Sequence, residues 1–145
     1  MLVRHILQDK GRNIIVIAQD ATMGAAAQLL AEKRIGAVIV TDIDGGLAGI
    51  LSERDVVRAV AGDGPLALNH NVAAHMTKSV ATCRECDTVE DLMEMMTNGR
   101  FRHVPVLDDC KALCGLISIG DVVKTRIAET LNEANSLRDY ISATA

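Results

Sequence analysis

The sequence predicts an α/β fold (α+β in its connectivity) built from two β-α-β-β-α repeats, packed sheet to sheet about a pseudo-twofold axis. Three observations predict it. The stretch Gly49-Ile50-Leu51-Ser52-Glu53-Arg54-Asp55 recurs 66 residues later as Gly115-Leu116-Ile117-Ser118-Ile119-Gly120-Asp121, and each copy runs into Val-Val and a base. In both halves, short β-branched runs alternate with segments of helical period. Apolar residues make up 49% of the chain, yet there is one Phe, one Tyr and no Trp, so the core is aliphatic. At the same offset Thr22 matches Thr88, Arg34 matches Arg100, and Val38, Val40 and Asp42 match Val104, Val106 and Asp108. A single unit of about fifty residues cannot bury both faces of a three-stranded sheet. Two units facing one another can, and they create two equivalent clefts.

In chain order, residues 3–11 form a helical or irregular lead-in ending at Gly11. Ile14 to Ile17 is a short strand. Thr22 caps a helix in which Met23, Ala26, Ala27 and Leu30 share one face, with Lys33 and Arg34 suiting the dipole of its last turn. Gly36 to Thr41 is a buried-type strand, Asp42 to Gly46 a hairpin turn, and Leu47 to Leu51 the returning strand. A helix follows from Glu53 to Ala61, broken by Gly62-Asp63-Gly64-Pro65. This places a first repeat with its lead-in at 1–65, a linker at 66–71 and a second repeat with a helical extension at 72–145. The second repeat runs through a strand at Val80 to Thr82, a helix capped by Thr88 with Val89, Leu92, Met93 and Met96 on one face, and strands His103 to Leu107 and Leu113 to Ile117. A long helix begins at Ile119, its apolar stripe (Val123, Ile127, Leu131, Ala134, Ile141) outlasting the repeat.

Bulk properties exclude several function classes. A net charge of −4 and near-absent aromatics argue against a nucleic-acid surface or an anionic membrane face. No apolar run approaches the ~20 residues of a membrane span, and the first residues lack a signal-peptide core, so a cytoplasmic location is expected. Neither a nucleophile–base arrangement, nor paired carboxylates, nor a Walker A loop, nor a dinucleotide fingerprint is present, which argues against an enzyme.

The runs Ile35-Gly36-Ala37-Val38-Ile39-Val40 and Phe101-Arg102-His103-Val104-Pro105-Val106 are each followed by Asp, a hairpin and Gly-x-x-Ser-x-x-Asp. In duplicate, these resemble the tandem cystathionine-β-synthase-type (CBS) domain pair, or Bateman module, over about residues 3 to 125. The resemblance implies a stand-alone regulatory module for energy sensing and signal transduction. Its ligand would be an adenine nucleotide (AMP, ADP, ATP or NAD) rather than a cofactor. Such modules often form flat homodimers through their helices and act on a regulated protein, here unidentified. Asp55 and Asp121 would each accept from ribose hydroxyls, since a carboxylate offers two oxygens to a vicinal diol. Ser52 and Ser118 would donate to phosphate, helped by helix-start amides near Arg54 and Gly120.

Composite pockets of this kind would join Ile50, Ser52, Arg54 and Asp55 to Thr77, Val80, Ala81, Phe101, Arg102 and His103, with Lys78 nearby. A second would join Leu116, Ser118 and Asp121 to Ile14, Ile15, Ile35, Gly36 and Ala37. The first, richer in cations, would take the more charged ligand. The plainer reading makes both Asp residues helix caps and His103 a packed core histidine.

Four cysteines supply an alternative. Cys83-Arg84-Glu85-Cys86 and Cys110 with Cys114 have spacings that zinc tolerates or a thiol switch could use. A ligand-free structural dimerisation module is a further alternative. His5, His70 and His75 show no ligand spacing and read as structural.

Overall fold

The computed structural model describes residues 1–144. Two three-stranded sheets are present, in strand orders β1-β2-β3 and β4-β5-β6. The first half comprises α1 (Val3–Lys10), β1 (Val16–Ala18), α2 (Met23–Lys33), β2 (Ala37–Thr41), β3 (Leu47–Ser52) and α3 (Glu53–Asp63). Two 3-10 turns, Pro65–Asn69 and Val72–Ala74, lead into the second half. That half comprises β4 (Cys83–Arg84), α4 (Val89–Gly99), β5 (His103–Leu107), β6 (Leu113–Ser118) and α5 (Ile119–Thr144). In each sheet the first two strands pair in parallel and the last two antiparallel, with a register shift at the same place (Val40/Thr41; Val106/Leu107).

The identical residues of the two halves have local jobs. Thr22 and Thr88 accept from the amides of Ala25 and Asp91 at 3.1 Å each, capping α2 and α4. Asp42 accepts from the amides of Asp44 and Gly46, and Asp108 from those of Cys110 and Ala112, closing the two hairpins in the same way. Arg34 and Arg100 both take left-handed backbone, at φ 54° and 55°, ending the two helices.

The first strand of each repeat lies later than the apolar runs suggest. Ile14 and Ile15 precede β1, and Val80 to Thr82 precede β4. Apolar character marks burial more than ladder pairing: Ile15 packs against the first core and only its carbonyl reaches β2, accepting from Ile39 N–H at 3.4 Å. The helix α3 runs two residues past its expected end, to Asp63, and Gly64 then turns at φ 75°.

Each sheet buries one face under helices, giving two aliphatic cores. Val38, Val40 and Leu51 pack with Met23, Ala26 and Leu30 of α2; Val104, Val106 and Ile117 pack with Val89, Leu92 and Met96 of α4. The apolar faces of α2 and α4 are therefore largely spent on core. On the opposite sheet face Ile39 is fully buried, and its counterpart Pro105 is buried too, which places them where the sheets meet.

Chain order and packing part company at the lead-in. Val3, Ile6 and Leu7 of α1 belong to the core of the second repeat, while Ala67 and Val72 of the turns between repeats belong to that of the first. Backbone bonds hold the exchange: Val3 N–H donates to Asp87 O, and Val72 N–H to Ala21 O. Gly49 and Gly115 sit inside β3 and β6, not in turns as their type suggests. A Cβ on Gly49 would stand 2.6 Å from Thr77 O, and one on Gly115 2.6 Å from Leu7 Cδ2. Each glycine marks where the exchanged segment crosses a strand.

Candidate functional site

Between the repeats lies a cavity of about 370 Å³. Ile50, Ser52, Arg54, Asp55, Thr77, Val80, Ala81, Phe101, Arg102 and His103 all line it. Gly36 and Ala37, grouped by the sequence with Asp121, line this cavity as well, together with Glu53, Arg58, Ser79, Arg100 and Ile119. Lys78 is exposed and outside it. Four arginines (Arg54, Arg58, Arg100, Arg102) against two acidic residues (Glu53, Asp55) thus line it, a bias toward anions.

Several backbone bonds assemble this wall. Ile50 and Thr77 exchange N–H···O bonds at 3.0 and 2.9 Å, tying the end of the inter-repeat segment to β3. The first amides of α3 and α5 are held alike: Glu53 N–H donates to Gly36 O and Ile119 N–H to Arg102 O. At the mouth of α3 the Asp55 carboxylate Oδ2 accepts from the Ser52 amide at 2.9 Å and from the Ser52 hydroxyl at 3.2 Å. Asp55 N–H points back at Ser52 Oγ, 3.3 Å away. Ser52 and Asp55 are therefore a capping box, as the plainer reading has it, and this geometry also aims them into the cavity. The cap uses Oδ2; among the described residues Oδ1 has only the distant Arg58, 4.0 Å away. Among the described residues the Arg54 amide, in the first turn of α3, has no protein acceptor.

His103 lies between the repeats: a Cβ on Gly36 would be 3.5 Å from its ring. Burial pushes its pKa down, with Lys10 and Arg102 acting the same way against Asp121 and Glu53, so the ring is neutral at neutral pH. It can donate or accept a hydrogen bond in the cavity but brings no charge there.

The Asp121 end of the molecule is arranged differently. Asp121 Oδ2 accepts from the Ser118 amide (2.9 Å) and hydroxyl (3.0 Å), repeating the capping box. It also accepts from Lys10 Nζ at 2.7 Å, and the same ammonium donates to Leu116 O at 2.8 Å. Burial opposes ionisation of Asp121, but Lys10 and Ser118 outweigh it and hold the carboxyl below its usual range. A smaller cavity of about 290 Å³ beside Asp121 is lined by Met1 and by α1 and α5 residues, Lys10 and Lys124 among them. Ile15, Ile35, Leu116 and Ser118 line neither cavity, and Ile15 and Ile35 pack against the first core.

Sequence reasoning missed Lys10 because its partner is 111 positions away and no local pattern joins them. Arg100 and Arg58 carried signals: Arg100 has its identical partner Arg34, and Arg58 stands one turn after Asp55. The cysteines are free thiols, with Cys83 buried and Cys86 and Cys110 exposed. Burial, with Asp87 and Cys114 nearby, pushes the Cys83 thiol up to about 12, so this side chain is protonated at neutral pH. Among the described residues no helix is long and apolar enough to cross a membrane.

Comparison with known proteins bears on this site. A family model described as CBS domain matches residues 3–62 and 72–128, one repeat each. The CBS-domain containing protein ATU1752 from Agrobacterium tumefaciens has a structure similar to this one, with a TM-score of 0.83 and 50% identity, covering 86% of this chain and 92% of that chain. The CBS domain protein PAE2072 from Pyrobaculum aerophilum, solved complexed with AMP, gives a TM-score of 0.75 at 28% identity over 83% of this chain and 89% of that chain. The mitochondrial CBS domain-containing protein CBSX3 of Arabidopsis thaliana is 30% identical over 147 residues, 96% of this chain and 71% of that protein. The chain spans 66% of the length of a 17.7 kDa relative from Acidianus ambivalens, at 31% identity.

Proposed function

The chain belongs to the CBS-domain family, carrying two of its repeats in tandem, and from that premise we propose that it is a regulatory module sensing an adenine nucleotide between its repeats. AMP, ADP, ATP or an NAD-type ligand would be bound, and the signal would be a change of conformation or dimer packing. The observation that carries this reading is the convergence of both repeats on one cavity of about 370 Å³ lined by four arginines. Small-molecule sites commonly enclose about 300–1,000 Å³. Asp55 Oδ1, unused by the cap, accepts from a ribose hydroxyl. The Arg54 amide and the guanidinium groups meet the phosphates, and Val80, Ala81 and Phe101 offer apolar cover to the base. The solved relative complexed with AMP supports the ligand class.

A thermal-shift screen over AMP, ADP, ATP, NAD and S-adenosylmethionine tests this reading. A ligand at a hundred times its dissociation constant should add about 2.7 kcal/mol of stability. No shift with any of them would leave the dimerisation module as the better account.

The two sites are unequal in this proposal. Lys10 lays its ammonium across the mouth of α5, on Asp121 Oδ2 and Leu116 O, and offsets the Asp121 charge, so the second site is obstructed by the chain itself. Lys10→Ala is expected to raise nucleotide stoichiometry from about one to about two per chain by calorimetry. The stability cost should stay under about 1 kcal/mol, because the pair is partly exposed. Two equal sites in the unaltered protein, or one site in both, would contradict it.

A homodimer fits the exposed surface. The second valine of each repeated Val-Val, Val57 and Val123, is exposed at 67% and 47%, and Ile127 and Leu131 continue that stripe along α5. Ligand binding beside the start of α3 and α5 would then reach the dimer face through those helices.

A further inference from the structure

Asp63, His70 and His75 come together at the junction of the repeats, away from the nucleotide cavity. Their ligand atoms all lie within 4.8 Å of one another. His70 Nδ1 and His75 Nε2 face each other at 2.9 Å, and Asp63 Oδ2 lies 3.9 Å from His70 Nδ1. We propose that these three side chains form a binding site for a divalent transition-metal ion of the zinc type.

The distances suit such an ion. A metal about 2.0–2.1 Å from both nitrogens subtends roughly 90° at their present separation, and opening them by about 0.4 Å gives the tetrahedral angle. The Asp63–His70 span of 3.9 Å falls within the reach of two ligand bonds, about 4.2 Å together. Two imidazoles and one carboxylate select zinc, nickel or cobalt over magnesium or calcium, which want oxygen ligands. The Asp63 and His70 side chains are 54% and 41% exposed, so an ion can enter, and water completes its coordination.

The scaffold is held in place before any ion arrives. Asp63 ends α3, and His70 and His75 follow the two 3-10 turns. His70 O accepts from Met23 N–H at 2.8 Å, and His75 N–H donates to Val72 O at 3.0 Å. The two rings lie nearly parallel, 4° apart in plane with centroids 5.2 Å apart. Without an ion one ring nitrogen donates to the other. On binding, that donor's proton moves to the far nitrogen of its own ring, so both lone pairs face the metal. The ion would tie the end of α3 to the segment that carries Thr77 into the nucleotide cavity, two residues beyond His75.

Calorimetric titration of the untagged full chain with zinc chloride, paired with the absorption spectrum of the cobalt-loaded protein, tests the site. One ion per chain is expected, with a cobalt spectrum of nitrogen and oxygen ligands and no thiolate charge-transfer band. His70→Ala and His75→Ala should each weaken binding by at least about tenfold, and Asp63→Asn by less, while circular dichroism shows the fold kept. An unaltered protein that takes up no zinc, uptake undiminished in both histidine variants, or a thiolate band marking the cysteines as ligands would each overturn the proposal.

Discussion

Asp55→Ala is expected to weaken AMP binding by roughly 30- to 150-fold, the equivalent of about 2–3 kcal/mol. Hydrogen bonds to a charged acceptor are worth about 1.5–3 kcal/mol each, and the carboxylate has one oxygen free of the cap to offer. The same change opens the α3 capping box, which by itself costs about 1 kcal/mol of stability. Asp91→Ala separates the two effects. Asp91 holds the same position in the capping box of α4, outside the nucleotide cavity. It should therefore cost similar stability and leave AMP affinity intact. Asp121→Ala should also leave the first site within about twofold, because its carboxylate is engaged by Lys10 and lies outside that cavity. Calorimetry on the three variants decides the matter. Unchanged affinity in Asp55→Ala, or an equal loss in Asp91→Ala, would remove Asp55 from the ligand site.

Gly49→Ala is the second large effect. Its Cβ would stand 2.6 Å from Thr77 O and 2.8 Å from Met76 Sδ. Thr77 is locked to Ile50 by a pair of backbone hydrogen bonds, so the backbone cannot retreat without breaking them. Overpacking of this kind costs about 3 kcal/mol, or a drop of roughly 10 °C in Tm for a chain of this size. Gly115→Ala meets only the end of a side chain, Leu7 Cδ2 at 2.6 Å, which can rotate, and should cost less. Thermal melts followed by circular dichroism test the order. A Gly49→Ala protein melting with the unaltered one, or above Gly115→Ala, would show that the crossing segment yields. Because Thr77 lines the cavity, Gly49→Ala should also reduce nucleotide affinity.

Much of this was legible because the signals are local and doubled. Thr22 and Thr88 cap helices through an amide three residues on, Asp42 and Asp108 close hairpins through amides two and four residues on, and Ser52 and Asp55 cap each other three residues apart. The ten residues grouped around Asp55 gather in one cavity, a grouping that came from family resemblance together with the repeat. Gly49 and Gly115 were visible as residues but not as crossing points, since the strand that needs them bare is determined by a segment elsewhere. The histidines at 70 and 75 have no recognisable ligand spacing; two 3-10 turns bring their rings together.

Local signals thus specify the duplication, its six-strand and helix pattern, and the caps and hairpins, because each depends on neighbours within a few positions. Which half each connecting segment completes is settled by packing across the whole chain. The lead-in helix, first in the chain, finds its apolar partners in the second repeat, and the turns between the repeats find theirs in the first. That exchange carries Lys10 onto Asp121 Oδ2, whereas among the described residues Asp55 Oδ2 accepts only from Ser52. Two nearly identical capping boxes thus become unlike sites, since burial of α1 determines where its last-turn ammonium falls, and that position is not encoded beside either aspartate.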